Sequence, residues 1–412
     1  MKKLVYLIIF FLYSTVMNAQ LKDLVQYVNT LQGTDSNFGL SYGNTYPTTG
    51  MPYGMHMWSA QTGKNGDGFK YMYAVDKIRA FSQSHQCSPW VSDYAVYSFM
   101  PMVGELVVNQ DARATKFSHD NEIAKPHYYK VTFDNGITTE MAPTTRGVHL
   151  RFSYPTTGDA YLVLDGYTDM SEIKIDPAKR QISGWVNNQR FVNDSKSFRN
   201  YFVVQFDKPF EDYGVWENQK DEVFPQKLDG AGKGYGAFIK FKKGSKVQAK
   251  AASSYISAEQ ALITLNKELG KDKNLEVTKA RGQKTWNEVL NRIVVEGCTD
   301  EQMKTFYSCL FRANLFSRKF YERKENGEPY YYSPYNGKIY DGYMYTDNGF
   351  WDTFRSQFPL TNILHPTMQG RYMNALLAAQ EQCGWLPSWS SPGETGGMLG
   401  NHSISLLALS LI

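Results

Sequence analysis

Two short stretches of this sequence bring together side chains that could bind a sugar. The first, residues 81–94, holds His85, Trp90 and Asp93 within nine residues. An indole stacks on the apolar face of a pyranose, and imidazole or carboxylate groups bind hydroxyls. The composition therefore allows a sugar-binding loop, although structural packing of these side chains is the more common alternative.

The second stretch, residues 347–355, is predicted to open a helix, with Asp347 or Asn348 as its N-cap. Asp352 and Arg355 are three residues apart, and Trp351 and Arg355 are four apart. One helix face would therefore present an indole, a carboxylate and a guanidinium, which can accept and donate hydrogen bonds to sugar oxygens. A local Asp352–Arg355 ion pair that anchors the helix is the alternative, and spacing alone does not separate the two.

Two glycine-rich segments match catalytic motifs without the context that those motifs need. Residues 39–43 fit G-x-S-x-G around Ser41, but a loop follows where a nucleophile elbow requires a helix. Residues 229–236 lack the spacing of a phosphate-binding loop and lead into a strand. We therefore infer neither a serine hydrolase nor a nucleotide site, and we expect a flexible hairpin connection over 229–236.

The composition suits an uncharged ligand such as a sugar, or simply large β-sandwich cores. Aromatic residues make up 15% of the 412 residues and charged residues only 20%. The net charge of +4 is nearly balanced, so nothing points to a nucleic-acid partner. Cys87, Cys298, Cys309 and Cys383 form no C-x-x-C pair, which argues against zinc and redox motifs. One disulfide could form after export, but the wide scatter favours isolated buried thiols.

The N-terminus has the regions of a bacterial signal peptide. Lys2 and Lys3 precede an apolar run from Leu4 to Tyr13, and small residues lead to Ala19. The run is too short to span a bilayer, and no other stretch has the character of a transmembrane helix. We therefore expect a signal peptide over residues 1–19 and export of the mature protein to the periplasm or beyond.

The rest of the chain divides into three parts. From 20 to 255, strand-like runs such as 128–133, separated by turn residues, predict an antiparallel β-sandwich. Residues 256–298 predict two connector helices, the first capped by Ser257. From 299 to 412, capping at Thr299 and apolar residues at helical spacing predict helices, including one over 350–364, with a Tyr-rich loop over 330–345.

Residues near the end of the sequence add further observations. Trp385 and Trp389 lie in a Gly/Pro-rich loop, where paired tryptophans often line a site, while His402 is expected to be a cap or core residue. The helix predicted from Asn401 onward stays apolar to Ile412, with no cap or charged tail. This pattern favours a domain that continues beyond the given sequence.

Taken together, these segments resemble glycoside hydrolase family 92. The matching stretches are 43–47, 51–54, 84–94, 100–104, 345–355, 384–387 and 400–402. The resemblance implies an α+β multidomain protein. It would have an N-terminal β-sandwich over 20–255, a helical connector over 256–298 and the first helices of a truncated (α/α)6 barrel over 299–412.

The resemblance also implies an activity. Family members are exo-acting, calcium-dependent α-mannosidases that invert the anomeric centre, so terminal α-mannosides of glycans or glycoproteins are the expected substrates, with α-1,2 linkage as a family-level expectation. By motif match, Trp90 would line the leaving-group side of the site. The substrate-binding residues implied at the terminal mannose and around it are Trp351, Asp352, Arg355, His85 and Asp93.

Inversion needs one carboxylic acid to protonate the leaving oxygen and a second carboxylate, about 6.5–9.5 Å away, to activate water. Calcium takes about six to eight oxygen ligands. The resemblance places both carboxylates and the main calcium ligands beyond Ile412, so neither Glu394 nor Asp341 is assigned a catalytic role. We expect the 412-residue chain alone to be inactive, and the alternative function is a non-catalytic, carbohydrate-binding secreted protein.

Overall fold

The computed structural model describes residues 21–410 except positions 38, 40–42, 66–69, 87–92, 168 and 189–197. The predicted signal peptide, residues 1–19, lies outside the described residues, as do Ser41 and Trp90. Among the residues described, no helix combines the length and the apolar character needed to cross a membrane.

Strands dominate the first half of the described chain, after a 3-10 helix at Leu24–Tyr27. In sequence order the strands are β1 (Thr49–Gly50), β2 (Met57–Gln61), β3 (Lys77–Ile78), β4 (Ala80–Ser84), β5 (Ser98–Val103), β6 (Thr115–Lys125), β7 (Tyr128–Phe133), β8 (Thr138–Pro143), β9 (Gly147–Ser153), β10 (Ala160–Asp165), β11 (Met170–Asp176), β12 (Gln181–Val186), β13 (Asn200–Phe206), β14 (Asp212–Glu217), β15 (Glu222–Pro225), β16 (Asp229–Lys233), β17 (Tyr235–Phe241) and β18 (Lys246–Ser254).

These strands form two large antiparallel sheets, which confirms the predicted β-rich N-terminal part. In the described residues one sheet has the order β1-β2-β4-β5-β10-β17-β14-β15, and the other β16-β11-β12-β13-β18-β9-β8-β7-β6-β3. Apolar side chains of both sheets pack into one core, in which Trp58, Phe99, Phe152 and Phe202 are fully buried. Burial of each such side chain contributes roughly 1.5–3 kcal/mol to folding.

The local patterns of the sandwich behave mostly as the sequence predicts. β7 buries Tyr129, Val131 and Phe133 on alternate positions, and it pairs with β8 across the turn at residues 134–137. The segment 229–236 differs from the prediction of a flexible connection. Its first part is the ordered strand β16, which pairs with β11, and the absence of a side chain at Gly230 leaves room for the ring of Tyr235.

Two connector helices follow as predicted, α1 (Ala258–Leu269) and α2 (Leu275–Leu290). The hydroxyl of Ser257 caps α1 by accepting a hydrogen bond from the backbone N–H of Gln260. α2 is fastened to the sandwich because the indole N–H of Trp286 donates to the carbonyl of Gly50 over 2.8 Å. The connector therefore packs against the sandwich on one side and leads into the C-terminal helices on the other.

The C-terminal part mixes helices with short ribbons. Its elements are α3 (Asp300–Ala313), β19 (Arg318–Lys319), β20 (Glu322–Arg323), β21 (Pro329–Tyr332), β22 (Ile339–Asp341), β23 (Tyr345–Thr346), β24 (Asn348–Gly349), α4 (Phe350–Thr353), α5 (Gln357–Leu364), α6 (Pro366–Cys383), β25 (Trp389–Ser390) and α7 (Ser403–Leu409). The capping box predicted at Thr299 and Gln302 is present at the start of α3, with both of its hydrogen bonds.

Three predictions for this part were wrong in detail. The Tyr-rich segment 330–345 contains strands rather than a loop, because β20, β21 and β22 pair with one another. The single helix predicted over 350–364 is two helices, since the backbone leaves the helical conformation at Ser356 and the side-chain amide of Gln357 donates to the carbonyl of Ala313. Cys298 and Cys309 are exposed free thiols rather than buried ones.

Candidate functional site

Asp347 lies at the point where the sandwich meets the C-terminal helices. Its carboxylate is fully buried and accepts hydrogen bonds from Gln86 Nε2 (3.2 Å), Ser391 Oγ (3.0 Å) and Tyr94 Oη (2.7 Å), besides an ion pair with Arg318. Its φ of +59° is tolerated by Asp better than by most residues. Asp347 was predicted as a possible helix cap, but Gly349 takes the N-cap position of α4.

Arg318 supplies the positive charge of this buried cluster. Its side chain is fully buried and donates to the carbonyl of Met55, to the hydroxyl of Tyr94 and to Asp347. Burial lowers the pKa of Arg318, but the charge of Asp347, the neighbouring Tyr94 and Tyr255 and the hydrogen bond to Asp347 together outweigh burial and raise the pKa above its ordinary value. Burial also raises the pKa of Tyr94 well above its ordinary value, so that the phenol remains protonated and donates to Asp347.

Helix α4 begins three residues after Asp347, beyond β24, and opens the turn that carries the predicted sugar-binding group. Trp351 is 48% exposed, and Asp352 and Arg355 are exposed too. No ion pair joins Asp352 to Arg355 within 4.0 Å in the described part of the chain; instead, the Arg355 guanidinium lies 4.6 Å from the ring centre of Phe354. The anchoring ion pair that was the alternative interpretation is therefore not formed among the described residues. The carboxylate of Asp352 is open to solvent.

The start of α4 is held tightly by its neighbours. The Thr353 hydroxyl donates to Asn348 Oδ1 over 2.8 Å, and β24 pairs with β25 so that Gly349 lies opposite Trp389. A Cβ at Gly349 would stand 2.6 Å from Asp352 Oδ2 and 3.5 Å from the indole of Trp389. A side chain at position 349 would therefore require the exposed Asp352 carboxylate to move away from the backbone.

His85 is fully buried and Asp93 is largely buried, so neither lies on an open surface. His85 is fully buried, with Nδ1 2.7 Å from the Tyr94 carbonyl and Nε2 2.8 Å from Nδ1 of His56. Burial lowers the pKa of His85, so the imidazole is neutral at neutral pH. Direct sugar contacts by His85 and Asp93 stay a prediction; the contacts observed join His85 to Tyr94 and His56.

Asp93 joins the side chain of Lys70 to the backbone of His85. One carboxylate oxygen accepts a 2.6 Å ion-paired hydrogen bond from Lys70, and the other accepts from the backbone N–H of His85 over 3.0 Å. Burial alone would raise the pKa of Asp93, but the charge of Lys70 and the contact with His85 outweigh it and hold the pKa far below its usual range. The predicted residue Trp90 lies outside the described residues.

The described residues do not form a complete metal site. Across the described ranges, no group of three or more His, Cys, Asp or Glu side chains is close enough to hold a metal ion. Glu394 is engaged in its own loop, accepting from the N–H groups of Ser388 and Gly396. Asp341 is 78% exposed and paired with Lys324. The donors present therefore do not fit the oxygen shell that calcium requires.

Comparison with known proteins identifies the class to which this fold and site belong. Residues 27–254 match the glycosyl hydrolase family 92 N-terminal domain, and residues 260–411 match the glycosyl hydrolase family 92 catalytic domain. The chain belongs to glycoside hydrolase family 92, as the resemblance of its motifs predicts.

Individual relatives agree with this membership. An inverting family 92 mannosidase from Bacteroides thetaiotaomicron is 44% identical, with a TM-score of 0.91 over 94% of this chain and 52% of its own. A family 92 α-mannosidase from the same organism, solved with mannoimidazole, has a TM-score of 0.80 at 23% identity, over 94% of this chain and 52% of its own.

A more distant relative is known from sequence. An uncharacterized secreted glycosidase from Arthroderma benhamiae is 22% identical over 357 residues, which cover 76% of this chain and 44% of that protein. The chain therefore spans about half the length of the relatives that it matches.

The structure brings together some predicted residues and adds others. Trp351, Asp352 and Arg355 share one exposed turn, and Trp389 lies beside Gly349 at its start; that Trp385 and Trp389 line a site stays a prediction. Gln86 and Asp347 had no predicted role in joining the domains. The one local signal for the position of Asp347 was the run Asp347-Asn348-Gly349, which is typical of turns with positive φ. This run predicts a turn, but it does not predict which side chains contact Asp347.

Proposed function

We propose that this chain is part of an exo-α-mannosidase that removes terminal α-mannosyl residues with inversion. The observation that carries the proposal is its 44% identity and 0.91 TM-score to an inverting mannosidase. The exposed Trp351, Asp352 and Arg355 group supports it, since the three residues lie on one turn beside a second tryptophan.

The chain's own residues supply binding and orientation in this proposal. The Asp352 carboxylate accepts hydrogen bonds from hydroxyls of the terminal mannose, the Arg355 guanidinium donates to its oxygens, and Trp351 provides an apolar surface. Trp90 lines the leaving-group side. Interactions that hold the sugar in the reacting geometry lower the activation free energy of hydrolysis. They do so because the sugar loses its orientational freedom when it binds, before the chemical step begins.

Proton transfer needs groups that we assign outside these 412 residues. A general acid protonates the leaving oxygen while a general base activates water on the opposite face of the ring. We propose that both carboxylates, and the main ligands of a calcium ion, belong to the part of the family's catalytic domain that this chain does not span. Bound calcium would supply positive charge and oxygen coordination at the reacting mannose.

The substrate and location complete the proposal. α-1,2-linked mannose at the ends of N-glycans or yeast mannan is the expected substrate, and a mannose-containing glycoprotein is the expected partner. The signal-peptide pattern over residues 1–19 supports export to the periplasm or the extracellular space.

A linkage panel tests the proposal. The complete gene product and the 412-residue chain are each incubated with α-1,2-, α-1,3- and α-1,6-mannobiose, with calcium or with EDTA. We expect the complete product to release mannose fastest from the α-1,2 disaccharide, to lose activity with EDTA and to regain it with calcium, while the 412-residue chain releases none. If both proteins bind mannosides without hydrolysis, the carbohydrate-binding alternative is correct.

A further inference from the structure

We infer that the cleft where the sandwich, the connector and the C-terminal helices meet binds an oxyanion such as phosphate or sulfate, either free or carried on a sugar. Tyr53 of the sandwich lines this cleft together with Arg292, Lys319 and Arg371. Its volume is about 280 Å³, which is room for an oxyanion and part of the group that carries it. None of the described residues that line it belongs to the proposed sugar-binding turn at 351–355.

The three basic side chains of the cleft come from three separate elements. Arg292 lies two residues after α2, Lys319 belongs to β19, and Arg371 belongs to α6. The described residues that line the cleft include no Asp or Glu, and no carboxylate of the described chain lies within 4.0 Å of these three groups. The cleft therefore concentrates positive charge that no neighbouring carboxylate balances.

Neutral partners hold the basic groups in place. The Lys319 ammonium donates to the carbonyl of Pro52 over 3.2 Å, and the Arg292 guanidinium donates to the last carbonyl of α5. The Arg371 guanidinium lies 4.5 Å from the ring centre of Tyr343. Because an ammonium has three N–H donors and a guanidinium five, donors remain for the oxygens of an anion. Arg292 and Arg371 are exposed, so the ion can approach from solvent.

The surroundings of Lys319 carry the same excess of positive charge. Burial and, to a smaller extent, the charges of Arg146 and Arg323 lower the pKa of Lys319 to about 8, although Glu268 acts in the opposite direction. Glu268 is paired with Arg146 over 3.0 Å and does not reach ion-pair distance of Lys319. Lys319 is thus still charged at neutral pH, and a bound oxyanion would supply the counter-charge that it lacks.

The remaining polar groups of the cleft are neutral. The pKa of His365 is lowered to about 4, chiefly by burial and then by the charges of Arg292 and Lys319, so its imidazole is uncharged at neutral pH. Tyr321 and Tyr345 are buried tyrosines of the same lining. The described lining offers cationic donors and no anionic ligand, so it favours an anion over a metal ion.

Calorimetric titration of the complete gene product tests the inference without reference to mannosidase activity. The probes are inorganic phosphate, inorganic sulfate and glucose 6-phosphate, each added in calcium-free buffer at constant ionic strength so that general screening does not change. Glucose 6-phosphate is chosen because its sugar is not a mannose, which keeps binding at a mannose site out of the measurement. Melting temperatures are recorded with and without each probe.

Two variants each remove one positive charge from the cleft. Arg371→Gln changes an exposed residue and should fold, and Lys319→Gln changes a partly buried one. Lys279→Gln is the matched control. Lys279 is also a basic residue over an aromatic ring, with its ammonium 3.6 Å from the ring centre of Tyr128, and it lies on α2 without lining the cleft.

We expect phosphate and sulfate to bind the unsubstituted protein and Lys279→Gln equally and to raise the melting temperature of both. In Arg371→Gln and Lys319→Gln the dissociation constants should rise about tenfold or more, because a charge-assisted contact is lost. Glucose 6-phosphate that competes with phosphate and binds more tightly identifies a sugar ester as the source of the anion, whereas equal or weaker binding identifies the free ion. No binding of any probe, or affinities in the two cleft variants equal to that of Lys279→Gln, would overturn the inference.

Discussion

Asp352 is the residue proposed to hold the terminal mannose through its carboxylate. Its exposed carboxylate has no ion-pair partner within 4.0 Å among the described residues, so removing it should leave the fold intact. We expect Asp352→Ala in the complete gene product to lower kcat/KM on α-1,2-mannobiose at least about 100-fold, because two charge-assisted hydrogen bonds of about 1.5–3 kcal/mol each are lost.

The matched control for Asp352→Ala is Glu381→Ala, which removes another exposed carboxylate in the C-terminal part, near the end of α6. It should change neither kcat/KM nor the melting temperature. The contrary result would be a lower melting temperature of Asp352→Ala that accounts for its loss of activity. The carboxylate would then stabilise the fold, as the ion-pair alternative supposed.

At the level of residues, local spacing predicted one group and missed another. Trp351, Asp352 and Arg355 lie within a single helical turn, so their shared exposure follows from helix geometry. The Asp347 network could not be found this way. Tyr94 and Gln86 stand 253 and 261 residues before Asp347, and only the docking of the sandwich onto the C-terminal part brings them within hydrogen-bond distance.

Among the elements, the short ribbon β20 carries a buried acid with consequences for stability. Glu322 is 1% exposed and accepts a hydrogen bond from the backbone N–H of Tyr255 over 2.8 Å. Burial raises its pKa from 4.5 to about 7, against smaller opposing effects that include the charge of Arg146. The folded protein therefore keeps a proton between pH 4.5 and 7 that the unfolded chain has released.

The proton held by Glu322 makes the free energy of unfolding depend on pH. Because the folded state binds more protons in that window, the free energy of unfolding falls as the pH rises from 4.5 through 7. Glu322→Gln mimics the protonated form, so at pH 8 it should be more stable than the unsubstituted protein by up to about 3 kcal/mol. At pH 4 the two proteins should have similar stability.

Urea unfolding of the 412-residue chain at pH 4 to 8 measures this effect. Glu328→Gln is the control, since Glu328 precedes β21 of the same ribbon but its side chain is 65% exposed. The control should follow the pH dependence of the unsubstituted protein. Parallel curves for Glu322→Gln and Glu328→Gln would show that Glu322 does not hold its proton.

Capped helices were predictable, whereas the short ribbons were not. Ser257 and Thr299 cap α1 and α3 through contacts three residues away, which a sequence displays directly. The Tyr-rich segment shows no alternation of polar and apolar residues, and its strands β21 and β22 form by pairing with each other and with β20. Such pairing depends on tertiary contacts, so propensity alone does not reveal it.

In the whole molecule, the sandwich and the C-terminal part are joined by buried polar contacts. Arg146 of the sandwich donates to the carbonyl of Tyr321 over 2.7 Å and pairs with Glu268 of α1, while Arg318 and Asp347 bind Tyr94. Composition and strand patterns predicted the sandwich, and motif order predicted the family. The alignment of the two parts required the structure, because it rests on contacts that are distant in sequence.

The central claim is that this chain belongs to an inverting α-mannosidase, and the anomer formed first tests it most directly. Proton NMR follows the anomeric signals while the complete gene product hydrolyses α-1,2-mannobiose in the presence of calcium. Inversion predicts that β-mannose appears first and α-mannose only later, by mutarotation. If α-mannose appears first, or if no mannose is released, the claim is contradicted.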